Sequence, residues 1–426
     1  MNLEGVTRRI KENLEHLARF TATPEGGCTR LPFTDETRAA AEYLKKIMTD
    51  AGLAVREDAA GNVFGTLPGT DSSLPCIMAG SHYDSVRHGG NYDGIAGVIG
   101  AIELARVFRE EGIRLRADYV AAAFMDEEGC RFGNGYFGSK CMLGQVTVEE
   151  CRRLKDKDQI SVYDAMKGYG LVPENLGAAQ WKEKKIGHFM ELHIEQGPVL
   201  DQQAVQIGLV DCIVGIRRYM VTVLGRPDHA GTTPMDMRKD AVETGSRVIS
   251  QIGDMAREYG EGTVATVGYI NVASNAVNVV ADRMEFSIDI RSAKEEILEE
   301  LEDKIRRLLM EKTKDSQTRY TMEDTLQISP VRLSETMLDL LEKSCQSRGF
   351  SCKRMPSGAG HDSLAIGQVL DTVMIFVPSK EGRSHCPQEY TPCHAFSRAV
   401  MLMKDLVLKL QQAENGKQGA GNQGVK

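Results

Sequence analysis

Long apolar runs are missing from this chain of 426 residues. No stretch approaches the ~20 residues a membrane helix needs, so a helical membrane protein is excluded and no membrane partner is expected. The opening segment, MNLEGVTRRIKENLEHLARF, carries charges throughout and lacks the apolar region of a secretory leader; it reads as an amphipathic helix. Cysteine occurs ten times but never as CxxC or at framework-like spacing. Mostly buried, reduced thiols and a cytoplasmic protein are therefore expected. A positive surplus is lacking too: 52 basic against 60 acidic residues give −8. That favours solubility and counts against nucleic acid or an anionic membrane as the main partner. No repeat of solenoid type is present.

What the chain does have is an ordinary globular composition, 42% apolar and 26% charged, with enough length for two domains. Short apolar runs alternate with helical stretches over the first two hundred residues. PCIMAGSHYDS, ADYVAAAFMDEEG and HFMELHIEQGPVL look like buried strands running into polar loops, and GIAGVIGAIELARVFREEG has the spacing of a helix closing at Gly112. This predicts an α/β domain with a mixed sheet flanked by helices, whose function gathers at the strand ends. After about residue 212 the rhythm changes. IRRYMVTVLG, TVATVGYINV, DRMEFSIDIRS and TRYTMEDTLQI read as strands, with helices over RKDAVETGSRVISQIGDMAREYG and KEEILEELEDKIRRLL. The order is βαββαβ, a ferredoxin-like split sandwich. The expected organisation is a discontinuous catalytic domain, 1–212 and 330–412, an inserted domain, 213–329, and a polar, Gly-rich disordered tail, 413–426.

Asp126, Glu127 and Glu128 close one apolar run, and burying three adjacent carboxylates without compensation is costly. A solvated turn is one explanation, a metal ion the other. Other segments place similar residues just past strands: His82 and Asp84, then Asp93, then His193 and Glu195, and finally His385. Singly each is a weak signal, since Asp beside Gly most often marks a turn. Together, candidate ligands converge on one edge of one sheet. Imidazole nitrogen with carboxylate oxygen suits zinc or manganese. Two dications ~3.5–4 Å apart repel, and a carboxylate between them relieves that repulsion. Asp93, flanked by Gly89, Gly90 and Gly94, is the candidate bridge. Asp84 is placed to accept a hydrogen bond from the second ring nitrogen of His82. Glu127 and Glu128, as neighbours on extended backbone, would point in different directions. One can bind metal while the other acts as general base toward water whose pKa has been lowered to ~7. Asp126 reads as a surface residue or one that supports the ligands.

The blocks GSHYDSVRHGGNYDG, MDEEGCRF, ELHIEQGPVLD, RPDHAGTTPMDMRKDA, NAVNVVADRMEFSIDIRS, SGAGHDS and FVPSKEGRSHCPQEYT together resemble the amidase, hydantoinase/carbamoylase family, within the zinc aminoacylase and carboxypeptidase group. The likeness runs in order from about residue 20 to 405. It implies two divalent metal ions per subunit (zinc, or manganese, cobalt or nickel) held by His82, Asp93, Glu128, His193 and His385, with Asp93 bridging. It makes Glu127 the general base and Asp84 the residue orienting His82. It implies that Gln196 contacts substrate, that His229 stabilises the oxyanion, that Asn278 and Arg291 hold a substrate carboxylate, and that Gly360 makes a backbone contact. His361 and Asp362 read as structural. Taken alone, His229 and Arg291 would be a surface histidine and a surface charge. Tyr83 and Ser85 depart from the usual Leu or Ile and Thr of relatives, and His88 is an unusual neighbour that reads as a solvated loop residue.

The expected activity is cleavage of the carbamoyl C–N bond of an N-carbamoyl-L-amino acid, with allantoate amidohydrolase or β-ureidopropionase as alternatives. An N-acyl amino acid or dipeptide hydrolase and a catalytically silent metal-binding scaffold are further rivals. The expected partners are a small ureido substrate bearing a carboxylate and a second copy of the chain, the inserted domain serving as lid and dimerisation surface.

Overall fold

The computed structural model describes residues 2–182, 185–260 and 262–421, with 413–421 as backbone only. The chain divides into two compact units. One comprises Met1–Asp211, Leu333–Met355 and Gly360–Lys426; the other comprises Cys212–Arg332 with Pro356–Ala359.

The first unit is a mixed α/β fold. At the centre of its sheet, strands Tyr119–Phe124, Cys76–His82, Ile186–Ile194 and Asp371–Val377 lie side by side and parallel. Strands Ala54–Glu57 and Val63–Leu67 on one side, and Ile207–Ile213 on the other, join antiparallel. Every residue of Cys76–His82 and of Tyr119–Phe124 is buried. Strands covered on both faces read as continuous apolar runs, which is the pattern these segments show. Helix Ile95–Glu110 connects the two and packs against both strands and against helices Leu3–Leu17 and Cys393–Gly421. Being surrounded, it is buried almost all round, and its Glu103 is met by Arg9 at 2.7 Å and Arg106 at 3.3 Å. Parallel register sets His82 opposite Phe124 and His193 opposite Phe376, so the segments after these strands leave from one edge.

The second unit carries an antiparallel sheet in the order Ile270–Val272, Arg283–Ser292, Gly215–Leu224, Arg319–Ile328. Helices Ala241–Arg257 and Glu295–Asp315 cover one face. Tyr219, Val221, Val223, Phe286, Ile288 and Ile290 point into that core, and the alternate residues face outward, as the period-two pattern requires. Asp240, not Arg238, starts the first helix: its carboxylate accepts the N–H groups of Val242 and Glu243.

Two expectations change. TVATVGYINV is not one strand but two, Val264–Thr266 and Ile270–Val272, both paired with Arg283–Ser292 in registers one residue apart. The break lies at Val267–Tyr269, around a glycine that weakens the strand. The last helix runs to Gly421, into the segment expected as a disordered tail. Residues 422–426 lie outside the described residues. Among the described residues no helix is long and apolar enough to cross a membrane.

Candidate metal centre

His82 ends its strand with an imidazole 1% exposed. The chain then turns through Tyr83, whose backbone carbonyl accepts from the buried Arg30 Nε and whose hydroxyl donates to the Gly61 carbonyl. It returns at Asp93, just ahead of helix Ile95–Glu110. Gly94, the residue before that helix, has φ +64° and ψ −58°. A Cβ there would lie 2.3 Å from His82 Cε1 and Nε2, so only glycine lets the backbone pass the imidazole this closely.

Asp93 is the hub. Its Oδ1 lies 3.4 Å from His82 Nε2 and 3.1 Å from His193 Nε2, and its Oδ2 lies 3.2 Å from His385 Nε2. Glu128 Oε2 stands 3.6 Å from His385 Nε2. Three groups offer ligand atoms within 4.8 Å of one another: His82, Asp93 and His193; His82, Glu127 and Glu128; and Asp93, Glu128 and His385. Asp93 belongs to two of them. Burial would raise the Asp93 carboxyl, but the neighbouring His193, with hydrogen bonds from three imidazoles, holds it well below the usual carboxylate range. Burial would likewise lower His82, yet Glu127, Asp84 and Asp93 raise it well above its ordinary value. Glu128 is pushed up to about 7, by burial first and then by Asp93.

This donor set fits a divalent cation. Its atoms are imidazole nitrogens and carboxylate oxygens in mutual reach, the types borderline dications take. Glu128 Oε1 is buried without a hydrogen-bond partner in the protein, an orphaned acceptor that a cation would satisfy. The side-chain amide of Gln196 donates from Nε2 to Asp93 Oδ2 at 2.7 Å and lies 3.2 Å from His385 Nε2, so it sits inside the constellation.

Glu127 is 7% exposed and follows the end of strand Tyr119–Phe124. The segment is not extended, as the sequence reading supposed. Asp126 adopts φ +57°, and residues 127–128 form a bend. The bend is fixed by Asp84, whose Oδ1 accepts the Glu127 N–H at 3.1 Å and whose Oδ2 accepts the Glu128 N–H at 3.3 Å. The Asp84 carboxylate also lies 3.4 Å from His82 Nδ1. It therefore holds the acidic turn as well as the imidazole. Asp126 is no surface residue: it is 1% exposed, and burial, reinforced by Asp84, pushes its carboxyl well above the ordinary range. Burial does the same to Glu127, against the opposing pull of His82.

Other expected residues fall elsewhere. Glu195 does not join the cluster; its carboxylate accepts the N–H groups of Val199 and Leu200. His361 is buried, 4.3 Å from His193 between ring centroids, and Asp362 accepts from Ser139 Oγ at 2.5 Å. A Cβ on Gly360 would lie 1.8 Å from the Tyr136 hydroxyl. His88, exposed, lies with Nδ1 3.0 Å from the Gly26 carbonyl. Glu389 went unnoticed in the sequence. It is 5% exposed. Its Oε1 accepts the Tyr92 and Asp93 N–H groups at 2.9 and 3.1 Å, and its Oε2 accepts from Ser384 Oγ at 2.8 Å. One carboxylate thus ties the Asp93 loop to the residue before His385. No spacing rule marks it; an acid in CPQEYT reads as solvated.

The remaining candidates lie in the second unit. His229 pairs across a two-residue strand with Val279, and the Ala230 N–H donates to the Asn278 carbonyl at 3.0 Å. Arg291 is not free. Its Nε donates to Asp289 Oδ1 at 2.8 Å and its Nη1 to the Gly358 carbonyl at 2.9 Å. Asp289 also meets Arg218, its cross-strand partner, at 2.7 Å. Two guanidiniums on one carboxylate leave a positive excess beside a cavity of about 480 Å³ lined also by Thr266 and Ser287.

The N-carbamoyl-L-amino-acid amidohydrolase of Paenarthrobacter aurescens is 44% identical to this chain over 384 residues, spanning 90% of this chain and 93% of that protein. The allantoate amidohydrolase of Bacillus subtilis (strain 168) is 36% identical over 406 residues, 95% and 98% of the two chains. A solved amidase of the hydantoinase/carbamoylase family from Burkholderia multivorans matches with a TM-score of 0.87 at 30% identity, over 94% and 97% of the two chains. The sequence profile of peptidase family M20/M25/M40, a metal-dependent family, matches residues 74–409. That stretch holds every residue of the Asp93 constellation, and by it the chain belongs to peptidase family M20/M25/M40.

Proposed function

We propose that this chain hydrolyses the carbamoyl C–N bond of an N-carbamoyl-L-amino acid, consuming one water and giving the amino acid, carbon dioxide and ammonia. The observation that carries the reading is the Asp93 constellation with Glu127 beside it, on a chain so similar to proteins named for that reaction. His82, Asp93 and His193 would hold one divalent ion, and Asp93, Glu128 and His385 a second. When bound, such ions supply Lewis acidity toward the carbonyl oxygen and toward water.

The chain's own residues do the rest. Glu127 takes a proton from the attacking water and returns it to the leaving nitrogen. Its burial, which pushes the carboxyl above the ordinary range, favours its holding a proton between the two halves of that transfer. Asp84 keeps Glu127 and Glu128 in register through their backbone N–H groups. His229 donates a hydrogen bond to the oxygen on which charge develops. Arg291 and Asn278 take the substrate carboxylate, for which a guanidinium offers two parallel N–H donors. Asp289 occupies those donors in the structure, a carboxylate where the substrate's would compete. Gln196 and the backbone at Gly360 contact the substrate.

We also infer a homodimer formed through the second unit. Its edge strands Val264–Thr266 and Ile270–Val272 leave Val264, Tyr269 and Ile270 exposed. Ten free cysteines support a reducing compartment, the cytoplasm. The test of function is ammonia release after adding zinc or manganese to metal-stripped protein. The substrates are an N-carbamoyl-L-amino acid, allantoate, β-ureidopropionate and an N-acetyl amino acid. Turnover confined to the carbamoyl amino acid is expected. Preference for allantoate would move the substrate, and hydrolysis of the acetyl compound alone would overturn the ureido reading.

A further inference from the structure

Arg238 lies in the second unit, just ahead of helix Ala241–Arg257. Both of its hydrogen bonds go to backbone: Nε donates to the Thr233 carbonyl at 3.0 Å, and Nη2 donates to the Ala230 carbonyl at 2.6 Å. A guanidinium is most often matched to a carboxylate or phosphate. Here it spans a single turn instead, and that turn is the one carrying His229.

The turn has its own internal bonds. The Thr233 N–H donates to the His229 carbonyl at 3.1 Å, and the Gly231 N–H donates to His229 Nδ1 at 3.0 Å. A neutral imidazole has one donor and one acceptor nitrogen. A ring that accepts at Nδ1 carries its proton at Nε2. The ring is exposed, and Nε2 has no partner among the described residues. His229 is thereby prepared as a hydrogen-bond donor, not as a base. The Gly231 N–H that fixes this state lies between the two carbonyls that Arg238 holds. A second tie closes the loop at its base, where Arg226 Nη2 donates to the Met237 carbonyl at 3.2 Å and Arg226 Nε to Asp228 Oδ2 at 2.9 Å.

We propose that Arg238 is a positioning residue: bound to the Ala230 and Thr233 carbonyls, it keeps the 229–233 turn in the conformation that leaves the His229 proton on Nε2 and pointing out as a donor. The proposal rests on the reading of His229 as the donor to the developing oxyanion. Misplacing such a donor costs about 10²-fold in rate.

The experiment uses the full chain reconstituted with zinc, as wild type, Arg238→Ala, Arg238→Lys and His229→Ala. In ¹⁵N-histidine spectra, His229→Ala identifies the His229 signals. Wild type should show an unprotonated Nδ1 and a protonated Nε2, and Arg238→Ala should show the two nitrogens averaging. With a ureido substrate, Arg238→Ala should lose about 10²-fold in kcat with KM changed by less than about threefold, and added guanidinium, but not ammonium, should restore part of it. Arg238→Lys, which cannot span both carbonyls with a planar fork, should fall between, and it is read in place of Arg238→Ala if the latter does not fold. Unchanged nitrogen shifts in the folded variant would overturn the proposal, as would a normal kcat in Arg238→Ala where His229→Ala has lost activity. If His229→Ala keeps full activity while the shifts still respond to Arg238, the catalytic reading of His229 fails and the positioning role stands.

Discussion

Removing Glu389 should loosen the metal centre without touching a ligand. Its buried carboxylate accepts two backbone N–H groups, from Tyr92 and Asp93, and one hydroxyl, from Ser384, all within 3.1 Å. In Glu389→Ala both N–H groups lose their acceptor. An orphaned buried donor costs about 1–3 kcal/mol, which applies to the Asp93 N–H, and the part-buried Tyr92 N–H adds less, with Asp93 and His385 no longer tied to one anchor. Glu389→Gln keeps one acceptor oxygen but exchanges charged for neutral hydrogen bonds, a loss of about 1 kcal/mol per bond. It also removes a negative charge beside a site built for a dication. Changes to residues that hold ligands in place typically cost 10–100-fold in metal affinity, about 1.4–2.8 kcal/mol. Calorimetric zinc titration of chelator-stripped wild type, Glu389→Gln and Glu389→Ala measures this directly, with circular dichroism reporting the fold. The expected order is wild type tightest, Gln weaker by at least about tenfold, and Ala weaker still. A folded Glu389→Ala binding zinc within twofold of wild type would refute the reasoning.

Glu127→Gln should bind zinc normally yet lose about 10²–10⁴-fold in kcat, since the amide cannot accept the proton; near-normal turnover would sink its role as base. Gly94→Ala should lose metal binding, because its Cβ would lie 2.3 Å from the His82 ring and its backbone sits at φ +64°. Strain alone costs about 1–3 kcal/mol, and a variant with wild-type affinity and Tm would contradict the packing argument. Asp58 tests pH. Burial pushes its carboxyl up to about 6 from the ordinary 3.8, despite N–H donors on Ala60 and Asn62. The folded state therefore holds this proton more tightly than the unfolded one. The contribution is complete below about 3.8 and is lost as pH rises through about 6, roughly 3 kcal/mol in all. Urea unfolding at pH 4.5 and 7.5 should show a loss of stability about 2 kcal/mol larger in wild type than in Asp58→Asn. Identical pH dependence in the two would exclude Asp58 as its source.

The candidate ligands could be picked out because chemistry restricts the residue types that bind a dication. His82 and His193 lie at the ends of buried strands, where a solvated explanation is weakest, whereas Asp93, Glu128 and His385 gain weight only from converging on them. The sheet was legible for a similar reason: strands buried on both faces must be continuously apolar, and half-buried ones such as Arg283–Ser292 must alternate. Glu389 was not legible, since nothing local separates an acid that anchors two loops from one that faces water. Nor was the turn at Asp126, whose positive φ depends on Asp84 more than forty residues earlier holding the next two N–H groups.

By itself, then, the sequence marked which residues are candidates to bind metal and transfer a proton, and which segments must be buried. Those follow from side-chain chemistry and from apolar periodicity, both local properties of the chain. Only the tertiary structure decided that Asp93 offers one oxygen to His82 and His193 and the other to His385. It also decided that Asp289 holds Arg218 and Arg291 together, and that Arg238 grips the His229 turn. Each is a hydrogen-bond partnership fixed by where the backbone folds back on itself, and no pattern of residue types along the chain specifies which donor meets which acceptor.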